Sequence, residues 1–313
     1  MKKAKVRAGK IVANLARYTF LLAFSYILLY PLIFMISSSM QGARDFFDPT
    51  VEWIPKSPIF TNFSLAFEAM DFGNSFTSTL IYEMLSAVFE IISCAVAAYG
   101  LARFNFKGKR LLNGMMLLTI LVPTTMIIIP SYINFTRLDI LGILKLIGGI
   151  FGAELRLNVL DSPWVMWLPS IFAVGLKGGL FIYIYKQFFQ GLPKEFEEAA
   201  WIDGAGPIKT FIRVIIPSST VPIVTVTMFS VVWHWNDYYL AQMYLTKGYP
   251  LSVQLASVDS LLTNALQGAE SAKIVLGPAI MAACLMMVLP LIIFYLVLQR
   301  RFIASIANSG IVG

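Results

Sequence analysis

The stretch LPKEFEEAAWIDGAGP, residues 192–207, sets four acidic residues and two prolines between two long apolar runs. Pro193 suits the first turn of a helix, where a missing N–H costs nothing. Glu195, Glu197 and Glu198 follow, and acids are favourable near a helix N-terminus. Ala199 and Ala200 continue the helix with little bulk, Gly204 and Gly206 offer C-terminal stops, and Pro207 lies just past them. The pattern predicts a helix of two to three turns, too short to cross a bilayer. Its alanine face is flanked by Trp201 and Ile202 and suits close packing. The next segment, IKTFIRVIIP, is amphipathic, and Pro217 is placed to kink or start the apolar run beyond it. Such a polar island is either a solvated connector or a piece that meets another protein.

The surroundings of the island decide the fold class. Of 313 residues, 58% are hydrophobic and 13% charged, and mean hydropathy is +0.75; a soluble domain carries about 25% charged residues. Apolar runs long enough for a ~30 Å hydrocarbon core fall at about 14–37, 78–102, 111–133, 164–189, 214–241 and 275–299. The expected fold is an all-α polytopic membrane protein with six transmembrane helices. The net charge of +7 is no nucleic-acid patch, because in such chains the placement of charge matters more than its sum. Cys94 and Cys284 both sit in apolar runs, unlike a disulfide framework. One histidine, His234, rules out the two-histidine metal helix, and no metal site is expected.

Lysine and arginine set the orientation. The N-terminus carries Lys2, Lys3, Lys5, Arg7 and Lys10 ahead of a run longer than a signal-peptide core, which reads as an uncleaved first span; cleavage near Ser37–Ser39 is the alternative. With the N-terminus inside, cytoplasmic segments hold 16 of the 24 basic residues and outer segments seven, with Lys177 inside a span. Both termini are therefore expected in the cytoplasm, and residues 192–217 form a cytoplasmic loop between spans four and five. The expected organisation is an N-terminal tail, first span and first outer loop over 1–77, then a core over 78–313 with five spans, that loop and a cytoplasmic tail.

Within the loop, Glu198-Ala199-Ala200 is followed by three residues, then Gly204, then nine residues to Val214, with Ile216-Pro217 closing the pattern. This resembles the EAA loop of ABC importer permeases over 20 positions. Three further stretches resemble the maltose-type carbohydrate permeases, and their second permease subunit in particular. AYGLARFNFKGK at 98–109 is similar to the second-span exit. Trp235-Asn236-Asp237-Tyr238 is similar to a W-N-[DE]-[FY] signature, without the Pro-Leu that closes it. LQRRFIASIANSGIVG is similar to the C-terminal tail, without its penultimate lysine. Together these cover about 77–313, and the first span matches only in character.

The resemblance implies an ABC type I importer architecture in a bacterial plasma membrane, surrounded by membrane lipid and with no nucleic-acid partner. It implies a second homologous permease subunit, two copies of a cytoplasmic ABC ATPase and an extracytoplasmic sugar-binding protein. The EAA loop would be the coupling helix that docks on the ATPase, with Glu197, Glu198, Ala199, Ala200, Asp203, Gly204 and Pro217 as its coupling residues. The substrate class would be a carbohydrate, an oligosaccharide or a glycan fragment. The chain has no G-x-x-x-x-G-K-[ST] phosphate loop, so no catalytic residue or cofactor is expected in it; ATP and Mg²⁺ would be bound by the partner subunits. An ABC permease for another solute, a secondary transporter and a membrane-embedded enzyme are the rival classes. The paired broken spans expected of a secondary transporter are not visible in the sequence.

Candidate pathway residues are Trp235, Asn236, Asp237, Tyr238, Lys177 and Glu90. The aromatic cluster is either an interfacial belt or a partly inward-facing stacking surface, and Asp237 is costly to expose to lipid. Glu90 and Lys177 sit at similar depth, roughly 18–20 Å from the cytoplasmic face at about 1.5 Å per residue. A buried ion pair between them is expected, beside the close-approach glycines Gly175, Gly178 and Gly179. Separate exposure to water-filled cavities, or snorkelling of Lys177, is the alternative, and Glu83, one heptad before Glu90, is the rival partner. The long outer segments 38–77 and 242–274 are candidates for contact with the binding protein.

Overall fold

The chain is helical because its apolar runs must satisfy every backbone polar group internally in lipid. A computed structural model describes residues 2–51, 53–139, 142, 145, 157–266 and 272–309. The apolar stretch 139–152 and the last residues of the C-terminal tail lie largely outside these. Among the described residues there is no strand, only an isolated bridge between Leu138 and Leu157. In chain order the helices are α1 (Lys2–Ser39), α2 (Thr61–Ala69), α3 (Phe72–Arg103), α4 (Lys109–Leu121), α5 (Thr124–Thr136), α6 (Trp164–Ile171) and α7 (Gly178–Gly191). They continue with α8 (Glu195–Ile202), α9 (Pro207–Ser218), α10 (Thr220–Trp235), α11 (Tyr239–Tyr244), α12 (Leu251–Ala256), α13 (Val258–Ala265) and α14 (Ala272–Ser309).

Three stretches are long and apolar enough to cross a membrane as single helices: Lys10–Ser39, Phe72–Arg103 and Leu276–Arg300. Two more become spans only if a bent pair is counted as one: α4 with α5, bent by 107°, and α9 with α10, bent by 82°. The first bend follows from Pro123, which disfavours helical geometry at the residue before it; Val122 is extended, with ψ 118°. The second falls at Ser219, two residues past Pro217. The run 164–189 is not one helix. It breaks over Phe172–Lys177, where Ala173 and Lys177 take left-handed φ values of 58° and 67°.

The chain divides into two compact units, Met1–Asp71 with Ser257–Leu289, and Phe72–Ala256 with Pro290–Gly313. In the first, Asn62 of α2 donates to Ser39 O and Gln41 O at 2.8 and 2.9 Å and so caps the end of α1. Trp53 packs edge-on against Tyr30. In the loop after α1 Lys56 and Thr50 donate to Asp48, which holds that carboxyl well below the usual aspartate range.

The second unit is built around α3. Cys94, Ala95 and Ala98 on one face receive Phe181, Tyr185 and Phe189 of α7 in a buried core. The same helix closes over the break at Phe172–Lys177. Ser93 Oγ donates to Ser170 O at 2.5 Å, and Cys94 Sγ lies 3.6 Å from Gly178 O. These side-chain contacts add to backbone bonding at the break, where Ser170 O also accepts from Ala173 N–H at 3.2 Å. Close approach is made possible by missing side chains: a Cβ on Gly179 would lie 3.0 Å from Met116 O of α4.

Candidate functional site

The polar island forms α8, a helix of eight residues, with all three glutamates in its first turn. Gly204 follows at φ +77°, a conformation that an L-residue reaches at a cost of about 1–2 kcal/mol. Glu198, Ala199 and Asp203 face outward. Around them lie exposed apolar side chains, with Ile202 86% and Ile208 76% accessible, together with Trp201 and Phe196. Exposed apolar side chains grouped in this way are more than a plain polar connector needs.

Glu197 and Ala200 point the other way and are buried. Glu197 Oε2 lies 3.2 Å from Arg103 Nε, and both side chains are less than a tenth exposed. Arg103, the last residue of α3, also donates through Nη2 to Leu192 O at 2.8 Å. One arginine thus ties the end of α3 to α8 and to the turn before it.

A second polar cluster lies deeper in the same unit. Glu83 and Glu90 of α3 are both fully buried. His234, near the end of α10, is placed between them: Nε2 is 2.9 Å from Glu90 Oε2 and Nδ1 is 3.3 Å from Glu83 Oε2. Two carboxyls facing both ring nitrogens fit an imidazolium that donates twice, or a neutral ring that donates to one carboxylate and accepts from a protonated partner. Glu83 sits in a π-helical turn at Thr79–Met84, a local widening that is frequent at functional positions. Asp237 follows one turn later, with Oδ1 accepting from Leu240 N–H at 3.2 Å and Oδ2 lacking a hydrogen-bond partner.

Beside this cluster is a cavity of about 530 Å³, lined among others by Ser131 and Asn134 of α5, Ser170 of α6, His234, Asp237 and Tyr244. A second cavity of about 730 Å³ lies along α4, α5 and the break, and includes Thr119, Lys177 and Trp233.

Residues 91–308 match the family model described as binding-protein-dependent transport system inner membrane component. The chain belongs to this family. Its members are transport components of the inner membrane rather than catalytic subunits. This permease is 27% identical over its whole length to the full-length melibiose/raffinose/stachyose import permease protein MelC of Bacillus subtilis. It is also 27% identical to the trehalose transport system permease protein SugB of Mycobacterium tuberculosis, over 91% of this chain and 93% of that one. Its fold resembles a chain of a bacterial ABC transporter involved in import of the acidic polysaccharide alginate, with TM-score 0.71, 21% identity, and coverage of 93% of this chain and 96% of the other.

The permease's geometry redistributes the expected site residues. Glu197 is turned inward, leaving Glu198, Ala199, Asp203 and the exposed apolar side chains on the outward face of α8. Of Trp235, Asn236, Asp237 and Tyr238, only Asp237 lines the polar cavity. Trp235 is buried against Phe76, Asn236 bonds back to Val232 O at 2.8 Å, and Tyr238 packs on a core cluster. The ion pair expected between Glu90 and Lys177 does not form. Glu90 is taken by His234, and Lys177 lies over the Trp233 ring at 5.9 Å with no carboxylate partner among the described residues. The depth estimate assumed a continuous span four, and the break at 172–177 turns Lys177 away. The close approach at the glycines is real: Cβ atoms on Gly175 and Gly178 would lie 2.9 and 3.2 Å from Glu90 Oε1. Arg103 and His234 carried no assigned role in the sequence. Arg103 lies in the second-span exit stretch, and His234 is the residue before the W-N-D signature.

Proposed function

We propose that the chain is one permease subunit of an ATP-driven importer and forms half of the pathway for an oligosaccharide delivered by an extracytoplasmic binding protein. The observation that carries this is the docking helix: a short, outward-facing surface of Glu198, Ala199, Trp201 and Ile202, clamped to span two through Glu197 and Arg103. A loop held that firmly from within while exposing apolar side chains suits the transfer of force from another protein. The partners are a second homologous permease and two cytoplasmic ATPase subunits, which bind ATP and Mg²⁺; the chain uses no cofactor of its own. Glu198 meets a polar or basic group there. Counting each bent or broken pair as one span gives six, with both termini cytoplasmic.

The solute class rests on the relatives and on the polar cavity. Asp237 Oδ2, Asn134 and Ser131 offer acceptors and donors suited to sugar hydroxyls, in the pattern of an apolar site with a few convergent polar groups. The test is reconstitution of the permease with the permease, ATPase and binding-protein chains encoded beside it. ATP-dependent uptake of at least one of melibiose, raffinose and trehalose is expected. Uptake by this chain alone without ATP would overturn the proposal.

A further inference from the structure

We infer that His234 is a positioning residue that closes a rigid frame between the docking helix and the outer half of span five. The inference rests on the permease reading above. The docking helix reaches α10 along the chain, but that route passes the 82° bend at Ser219. A bent joint transmits displacement poorly unless something fixes its angle. Span two supplies the fixing member. At its cytoplasmic end Arg103 grips Glu197 of the docking helix. About 20 Å away Glu90, and about 30 Å away Glu83, both grip His234, at 1.5 Å per residue. His234 is itself 14 residues beyond Thr220, the first residue past the bend. Docking helix, α3 and α10 therefore form a closed triangle with polar clamps at two corners and the peptide chain at the third.

The clamp at His234 is more than packing. Buried charges persist in membranes where they pair and where function requires them. Here both carboxyls of α3 that lie at this depth converge on the chain's one histidine. A hydrophobic contact at the same place would tolerate sliding, whereas two hydrogen bonds to one ring fix both height and rotation. Glu90 also abuts Gly175 and Gly178 at the break in span four, so the same corner supports a segment, including Phe172, Val174 and Gly175, that lines both cavities. On this view, ATP-driven movement of the docking helix reaches the Asp237 end of α10 only when the His234 corner is intact.

The test uses the assembled complex in nanodiscs, with Cys94 and Cys284 replaced and a bimane label at one of two exposed positions. Lys209→Cys reports the docking end and Tyr239→Cys the outer end. The probe is MgATP with vanadate, so no sugar is needed. In the otherwise unaltered complex both labels respond, and absence of any response there would overturn the permease reading instead. His234→Ala should keep the response at position 209 and reduce that at position 239 about fivefold or more, the lower end of a coupling energy. Glu197→Gln should reduce the response at 239 similarly, and the double variant no further, because the two clamps act in series. His234→Gln, which keeps a donor, should recover part of the signal and replaces His234→Ala if that variant does not assemble. Equal responses at both labels in the His234 variants, equal losses at both, or losses that multiply in the double variant would each overturn the inference.

Discussion

The Arg103–Glu197 clamp is open to a direct energetic test. Both partners are enclosed, with 8% and 5% of their side-chain surface accessible, so solvent screening gives little relief. Arg103→Met removes the ion pair and the bond to Leu192 O and leaves a buried carboxylate whose Oε1 already lacks a hydrogen bond. Breaking a buried pair from one side costs about 3–5 kcal/mol in soluble proteins. Glu197→Gln keeps shape and an acceptor oxygen and should cost less, about 1.5–3 kcal/mol. The two sites touch, so a double-mutant cycle should show coupling of about 0.5–3 kcal/mol. The assay is the thermal denaturation of the purified permease without its ATPase, each variant heated at one scan rate. If Glu197 instead contacts the ATPase, Glu197→Gln would leave the permease's thermal stability unchanged and weaken ATPase retention. That outcome would refute the inward clamp.

Other expectations follow from single positions. Gly204→Leu should insert and fold yet lose coupled transport, because a leucine at φ +77° distorts the turn after the docking helix; normal binding-protein-stimulated ATPase in that variant would contradict this. Cysteines at Ser57 and Ser257 should react with an impermeant maleimide from outside, and one at Lys109 should not. Labelling at Lys109 would reverse the topology. Glu90→Gln and His234→Gln should be strongly non-additive in stability, while Glu90→Gln and Lys177→Met should add; coupling in the second pair would restore the ion pair that the structure does not contain.

The docking loop was legible in the sequence because its determinants are local: acids at a helix start, alanines within, and a glycine where the backbone turns left-handed. The bend at Val122-Pro123 is written in the proline. The break at Phe172–Lys177 is written only in part: Pro169, Gly175 and the Gly178-Gly179 pair favour an interruption, but the positive φ values fall on Ala173 and Lys177, residue types that do not signal them. The same break misled the pairing of Glu90. Depth along two assumed straight helices matched Lys177 to Glu90, whereas the actual partner comes from α10, 144 residues away in sequence. A lone histidine excludes a two-histidine metal helix but says nothing about an imidazole held between two carboxyls, which is what His234 is. Glu83 and Glu90, one heptad apart, already shared a helix face in the sequence, and that spacing was the available signal.

If the break in span four is held by backbone approach rather than by flexible loop geometry, alanine at its glycines must be felt in a definite order. A Cβ on Gly178 would lie 2.5 Å from Ala173 O and 3.0 Å from Ala173 C. Both are main-chain atoms of the left-handed turn and cannot rotate aside. A Cβ on Gly175 would meet Ser170 Oγ at 2.8 Å and Glu90 Oε1 at 2.9 Å, side-chain ends that can move, and the Ser170 main chain only at Cα, 3.1 Å away; moving Glu90 disturbs its bond to His234. Overpacking costs about 1–3 kcal/mol, so Gly178→Ala should fall at the upper end and Gly175→Ala lower. Gly114→Ala is the control: it lies within α4 with nothing inside 4 Å, where alanine should stabilise by roughly 0.5–1 kcal/mol. Gly175→Ala should also lower the energetic coupling between Glu90 and His234, and Gly114→Ala should not. Thermal denaturation of the three variants gives the ranking. A Gly178→Ala permease as stable as Gly114→Ala would mean that the turn at Ala173 opens freely, and the support it gives to Glu90 would have to be abandoned.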